Sequence, residues 1–320
     1  MFSHYCYTYF GRSAAAPKDD QTIKLAVSDD GLRFSAVNGN RPVLRSVLGE
    51  RGVRDPYLLR RDSADDSGRP KFVMIGTDLD FWNPRYVTAS GDVDWAATVR
   101  RGSTGICVWE SDDLVHWSAE RIVDIASSVQ AGNMWAPRAI WDPDHGDHGE
   151  YLVYWSSCTA ADNYVKQRIW ACWTSDFVDF SEPFVYMEKP FSVIDCSMVR
   201  YRDMVLRFTK NEDEKYVFLE AANTLFGDFR RVSQHILESY RGGYEGPDAH
   251  MLPDGRMMVF VDEYINQRRG YIPFVADDPL HANSFQPMAM GEYVLPEGGN
   301  HGTIMPLTAA EYETLAALKR

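Results

Sequence analysis

Three stretches, AVSDDGLRFS (26–35), VWESDDLVHWS (108–118) and CWTSDFVDFSEP (172–183), follow one pattern. Each is an apolar run, then a polar turn rich in Ser and Asp, then an aromatic residue. EAANTLFGDFRRV (220–232) and VADDPLHANSFQP (275–287) are looser copies. The aromatics Phe34, Trp117, Phe180, Phe229 and Phe285 are 83, 63, 49 and 56 residues apart, so the chain carries five copies of one unit with insertions of different length.

Two further apolar runs precede each copy. FVMIGT (72–77), YLVYWSS (151–157), VLRFTK (205–210) and MMVFVDEY (257–264) are rich in β-branched and aromatic residues. Turn signals such as HGDHGE (145–150) and PDGR (253–256) bound them. Before these lie VRDPYLLR (53–60), WAPRAIWD (135–142), VIDCSMVR (193–200) and EGPDAHML (245–252). The first copy lacks such a leading strand: its second strand, HYCYTYF (4–10), is at the N-terminus, and HGTIMPLT (301–308) supplies the missing piece from the other end. A circular array closed by strands from both termini explains this complementarity and leaves few sheet edges exposed. The pattern predicts an all-β, single-domain five-bladed β-propeller over residues 1–320, with a short C-terminal helix over about 309–320.

Composition narrows the function. The net charge of −13 disfavours nucleic acid and anionic membranes, which would repel the chain. No apolar run approaches the roughly 20 residues of a membrane span. The opening MFSHYCYTYF has neither a basic nor an apolar leader segment, and the five cysteines form no CxxC pair, so a reducing, cytoplasmic setting is expected. His145 and His148 sit among acids in a turn signal and read as a solvated hairpin rather than a metal site.

In a propeller the innermost strands share one axis, so residues at their starts meet despite large sequence separation. Asp55, Trp135, Asp195, Glu245 and His301 hold such positions. Three acids and a histidine beside a tryptophan point to chemistry, because clustered buried charge is costly. The long segment 78–105 between the second and third strands of the second copy brings Trp82 and Trp95, either to stack on a sugar or to pack the loop down.

VRDPYLL, SDDLVHW, AGNMWAPRAIWD, VIDCSMV, YEGP and NHGTIMPL, in this order over nearly the whole chain, resemble glycoside hydrolase family 43, the five-bladed propeller hydrolases of arabinose, xylose and related sugars. The resemblance implies that Asp55 is the general base, Asp195 the residue that modulates the acid's pKa, and Glu245 the general acid. It places Arg54, Trp82, Trp135, Arg138 and His301 against substrate. It further implies that no cofactor is required, with a structural calcium ion or water cluster in the central channel near His301, any imidazole contribution passing through water. Two positions depart from the family: Arg138 follows Trp135-Ala136-Pro137 where Glu is common, and Asn300 precedes His301 where closer relatives carry Arg.

The expected activity is inverting, exo-acting hydrolysis of a terminal pentofuranose, foremost α-L-arabinofuranose, from plant-type oligosaccharides, the chain's expected partners. β-Xylosidase and β-D-galactofuranosidase activities share the same carboxylates, and a non-catalytic carbohydrate-binding propeller is the alternative of a different class.

Overall fold

The computed structural model describes residues 2–15, 19–62, 68–236, 243–265 and 270–319. Its strands form five four-stranded antiparallel sheets. Blade 1 contains β1 (His4–Tyr9), β2 (Lys24–Ser28) and β3 (Ser35–Ala36), and blade 2 contains β4 (Val53–Arg60), β5 (Phe72–Asp78), β6 (Gly105–Ser111) and β7 (Arg121–Asp124). Blade 3 is β8 (Trp135–Asp142), β9 (Glu150–Ser157), β10 (Arg168–Thr174) and β11 (Phe184–Met187). Blade 4 is β12 (Val193–Tyr201), β13 (Met204–Asn211), β14 (Tyr216–Ala222) and β15 (Arg230–Ser233). Blade 5 is β16 (Tyr244–Met251), β17 (Met257–Glu263), β18 (Gly270–Ala276) and β19 (Gln286–Pro287).

The last strand, β20 (Gly302–Leu307), returns to blade 1 and pairs with β1 from His4 opposite Leu307 to Tyr9 opposite Gly302. The innermost strands β4, β8, β12, β16 and β20 each touch the next, and β20 touches β4, so the ring is closed. This is the five-bladed propeller expected from the repeats.

Five apolar clusters fill the seams between neighbouring blades. Val73, Ile75 and Ile106 of blade 2 meet Tyr151 and Val153 of blade 3, for example, and Tyr7 of blade 1 meets Met258 and Phe260 of blade 5. Each inner sheet is covered on both faces, so its second strand is buried along nearly its whole length rather than on alternate residues. Every residue of β5 and of β17 is buried.

The Ser/Asp turns that reveal the repeat have a shared hydrogen-bond chemistry. Ser28, Ser111 and Thr174 each accept the backbone N–H groups two and three residues on. Asp30, Asp113 and Asp176 do the same through Oδ1. Such side chains satisfy turn amides that no ladder partner reaches. The C-terminal helix α2 (Ala309–Ala316) starts at a capping box of Thr308 and Glu311 and gives way to a 3-10 turn over Ala317–Lys319; Arg320 lies outside the described residues.

The four innermost strands after the first blade share a kink that was not read from the sequence. Their pairing shifts register between Arg54 and Tyr57, Trp135 and Arg138, Ile194 and Ser197, and Glu245 and Asp248. In each, two residues oppose one, the geometry of a β-bulge. The first bulge residue is left-handed in every case: Asp55 (φ 49°), Ala136 (φ 49°), Asp195 (φ 52°) and Gly246 (φ 55°). Proline follows in three of the four, at Pro56, Pro137 and Pro247, where the bulge leaves an amide outside the ladder.

A left-handed conformation costs an L-residue with a Cβ about 1–2 kcal/mol. Ala136→Gly should therefore be neutral to stabilising, by up to about 1 kcal/mol once the greater entropy of the unfolded chain is subtracted. Ala139→Gly, at a buried ladder position of the same strand, should destabilise by about 1 kcal/mol. Thermal melts of the two variants check the contrast.

Candidate active site

The bulges aim the strand starts at one end of the axis. Asp55 and Asp195 are themselves left-handed bulge residues, whereas Glu245 stands one position earlier, beside Gly246. Its counterparts in the register are Arg54, Trp135 and Ile194. The three carboxylates therefore do not occupy equivalent positions, as reading the strand starts alone suggested; the bulge offsets Glu245 from the two aspartates.

The residue opposite the pre-bulge position on each second strand is Thr77, Ser156, Lys210 or Asp262. All four are buried and reach forward to the next blade. Thr77 Oγ1 accepts the Ala136 N–H (2.8 Å) and donates to Asp55 Oδ2 (2.8 Å). Ser156 Oγ accepts the Asp195 N–H (3.0 Å). Lys210 Nζ donates to Glu245 Oε2 (2.8 Å), and Asp262 Oδ2 accepts the His301 N–H (3.0 Å). Asp195 extends the pattern by accepting the Gly246 N–H on Oδ2 (3.0 Å). These residues were missed in the sequence, although Lys210 in VLRFTK and Asp262 in MMVFVDEY are charges in strands rich in apolar residues, a signal that was available.

Blade closure places His301 next to Asp55, with His301 Nδ1 3.2 Å from Asp55 Oδ1. Burial pushes the Asp55 carboxyl up, but the hydrogen bond and charge of His301, with Arg54 and Thr77, outweigh it and hold the pKa down at about 2. Asp195 differs: burial pushes it to about 6, with Glu245 and Asp55 adding to the rise against the pull of His301 and Lys210. Asp262 is pushed to about 7, again by burial first and then by Glu245. Burial opposes a charge on Lys210, yet Glu245, Glu212 and Asp195 around it hold its pKa above the usual lysine range. The site thus separates a firmly ionised carboxylate from carboxyls that titrate near neutrality.

Arg138 is 3% exposed and points down the channel. Its Nη1 donates to Asp248 Oδ1 (2.5 Å), and its Nη2 lies 3.0 Å from the Gly302 carbonyl and 3.3 Å from His301 Nε2. Calcium requires about six to eight oxygen ligands. A dication beside the channel-facing imidazole nitrogen would here face a guanidinium, so the residues around His301 do not fit the calcium ion that the resemblance implied.

The aromatic candidates separate. Trp135 is half-buried against Leu79, Tyr86 and Ala97; these come from the segment 78–105, which contains a 3-10 turn and helix α1 (Trp95–Arg101). That contact packs the insertion down, together with the bond from the Tyr86 hydroxyl to Glu50. Trp82 and Trp95 are 44% and 55% exposed and flank Phe81, whose ring lies 4.6 Å from the Arg54 guanidinium. Trp82 Nε1 donates to Asp20 Oδ2 (3.0 Å), and Arg54 also sits over Phe10 (4.3 Å). The insertion therefore builds an aromatic wall one residue from Asp55.

A carboxyl whose folded pKa exceeds its unfolded value binds more protons when folded, so its penalty grows as pH rises through the window between the two. For Asp262 that window runs from about 4, the ordinary value, to about 7. Asp262→Asn keeps an acceptor for the His301 N–H; it should melt above wild type at pH 8, with the difference vanishing towards pH 4. A pH series of calorimetric melts checks this. A chelator should leave the wild-type melting temperature unchanged, because the residues around His301 do not fit a dication.

The sequence model described as "Probable glycosyl hydrolase domain", of the family 43-related group, matches residues 1–313. An α-L-arabinofuranosidase of Bifidobacterium longum subsp. longum is 27% identical over 255 residues, covering 69% of this chain; the chain spans 22% of that relative's length. An endo-1,4-beta-xylanase of Bacteroides thetaiotaomicron superposes with a TM-score of 0.58 at 13% identity, over 92% of this chain and 94% of the other. An endo-arabinase of the same organism gives 0.51 at 15% identity, over 80% and 94%. With the family matched over almost its whole length and its fold shared with these structures, the chain belongs to the family 43-related glycoside hydrolases.

Proposed function

We propose that this glycoside hydrolase is an inverting, exo-acting α-L-arabinofuranosidase that removes terminal arabinofuranose from plant-type oligosaccharides. The observation that carries the mechanism is the division of labour among the axial carboxyls. Asp55, ionised down to about pH 2, is the base that activates water. Glu245 is the acid: Lys210 engages its Oε2, which leaves Oε1 to deliver the proton to the departing oxygen. Asp195, anionic above about pH 6, is tied to the next blade through the Gly246 amide and modulates the acid. In single-displacement glycosidases the acid and base stand about 6.5–9.5 Å apart, leaving room for the water. The negative charge of Asp55 and Asp195 favours the oxocarbenium character that develops at the anomeric carbon.

The sugar assignment is supported by the named activity of the Bifidobacterium relative. The wall of Phe81, Trp82 and Trp95 on the blade 2 side supports binding at a chain end rather than along a chain.

Proton NMR of the anomeric signals during hydrolysis of 4-nitrophenyl α-L-arabinofuranoside tests the proposal. The first-formed product should have inverted configuration, and Asp55→Asn and Glu245→Ala should each lower kcat by about 10²–10⁴-fold. A retained product would overturn the mechanism. Turnover of a xyloside or galactofuranoside, with none of the arabinofuranoside, would overturn the sugar.

A further inference from the structure

Three buried side chains, Asp248, Arg138 and His301, form an unbroken path from the floor of the channel to Asp55. Asp248 of β16 accepts Arg138 Nη1 on Oδ1 and the Ile304 N–H on Oδ2 (2.8 Å). Arg138 of β8 spans the axis from blade 3 to this partner in blade 5, with the Tyr57 ring of blade 2 beneath it (5.2 Å). Its other nitrogen meets the blade 1 carbonyl of Gly302 and His301 Nε2. His301 then faces Asp55 through Nδ1. A guanidinium has only donors, so in the neutral ring the nitrogen it approaches is the one that carries the lone pair and the proton sits on Nδ1. The charged ring carries a proton on Nδ1 too, so an N–H is directed at Asp55 in either state.

We propose that Arg138, clamped by Asp248, is a positioning residue that stands in for a channel cation and fixes the orientation and tautomer of His301, so that His301 donates to Asp55. The inference rests on the reading of Asp55 as the base. Gly246 bounds the imidazole on its other side: a Cβ built there would come within 2.4 Å of the ring. The ring is thus held between a glycine and a guanidinium, with little freedom to turn. A buried ion pair adds little to stability against an apolar replacement, so orientation of the ring is the better account of its presence.

The groups facing Asp55 are His301 of blade 1, Arg54 of its own strand, Thr77 of β5 and Asp195 of β12. Those facing His301 are Asp55, Asp195, Arg138, Asp248, Asp262 through the backbone N–H, and the Tyr271 ring (6.3 Å). Without Arg138 the imidazole is free to turn its Nδ1–H away from Asp55. Asp55 then loses its donor while its burial remains, and its pKa must climb.

The test is a carbon-13 NMR titration of the Asp55 carboxyl, assigned by its loss in Asp55→Asn, which reads the group without turnover. Arg138→Met alone strands a buried Asp248 charge, so the principal variant is Arg138→Met/Asp248→Asn, which removes both charges and keeps an acceptor for the Ile304 N–H. In that variant the Asp55 midpoint should rise by about one to three pH units, and the acid limb of kcat/KM should rise with it. Arg138→Lys, which keeps the charge but cannot fork between Gly302 and His301, should fall between wild type and the double variant. An unmoved Asp55 midpoint in a double variant that melts like wild type would overturn the inference. Full activity of Asp55→Asn would instead overturn the assignment of the base, a separate failure.

Discussion

The pairing of β20 with β1 is the contact on which everything else hangs. It joins residues 302–307 to residues 4–9 and converts a row of sheets into a ring. Without it, blade 1 loses its innermost strand and two blade edges stand open, an invitation to aggregate. The same pairing brings His301 to Asp55 across almost the whole length of the chain. Gly302 makes the join feasible, because a side chain there would run into the Thr8 carbonyl at 1.8 Å. Structural closure and assembly of the site are one event.

The bulges are the second constraint. A regular strand would send Asp55 and Asp195 into the ladder; the left-handed residue turns each out towards the axis, and at Asp195 it frees the amide to bond Ser156 of the preceding blade. Two of the four left-handed positions are held by an aspartate rather than by glycine. Strain of about 1–3 kcal/mol at each such residue persists only where its surroundings over-determine it. Here the surroundings are the amide latches from Thr77, Ser156, Asp195 and Asp262, which run from blade to blade around the ring. Carboxyls pushed up to about 6 and 7 at Asp195 and Asp262 are a further sacrifice of stability at neutral pH in favour of chemistry.

Much of this was legible in the residues. The Ser/Asp turns announce the repeat because their side chains perform the same local hydrogen bonding in blades 1, 2 and 3, and local bonding leaves a local signature. The second strands, rich in apolar residues, announce themselves because both faces are covered. Asp55, Asp195, Glu245 and His301 stood out as polar residues at strand starts. Lys210 and Asp262 did not, since their role lies in what faces them from the next blade, and no spacing along the chain encodes that. Trp82 and Trp95 have the composition of a loop anchor, yet the apolar packing is done by Trp135, Leu79, Tyr86 and Ala97, while the rings of those two stay exposed and Trp82 ties to Asp20 only through its indole N–H.

Arg138 marks the boundary most sharply. The sequence by itself determined that a base stands where the family commonly has an acid, and it determined the five units, their order and their complementary ends. These are properties of local pattern, which a chain carries whether or not it is folded. Only the tertiary structure decided that Arg138 faces Asp248 and His301 rather than the sugar, that the bulge sets Glu245 out of step with the aspartates, and which carboxyl stays ionised. Those outcomes depend on which charges converge at the axis and how far water is excluded there, and both exist only once the ring is closed.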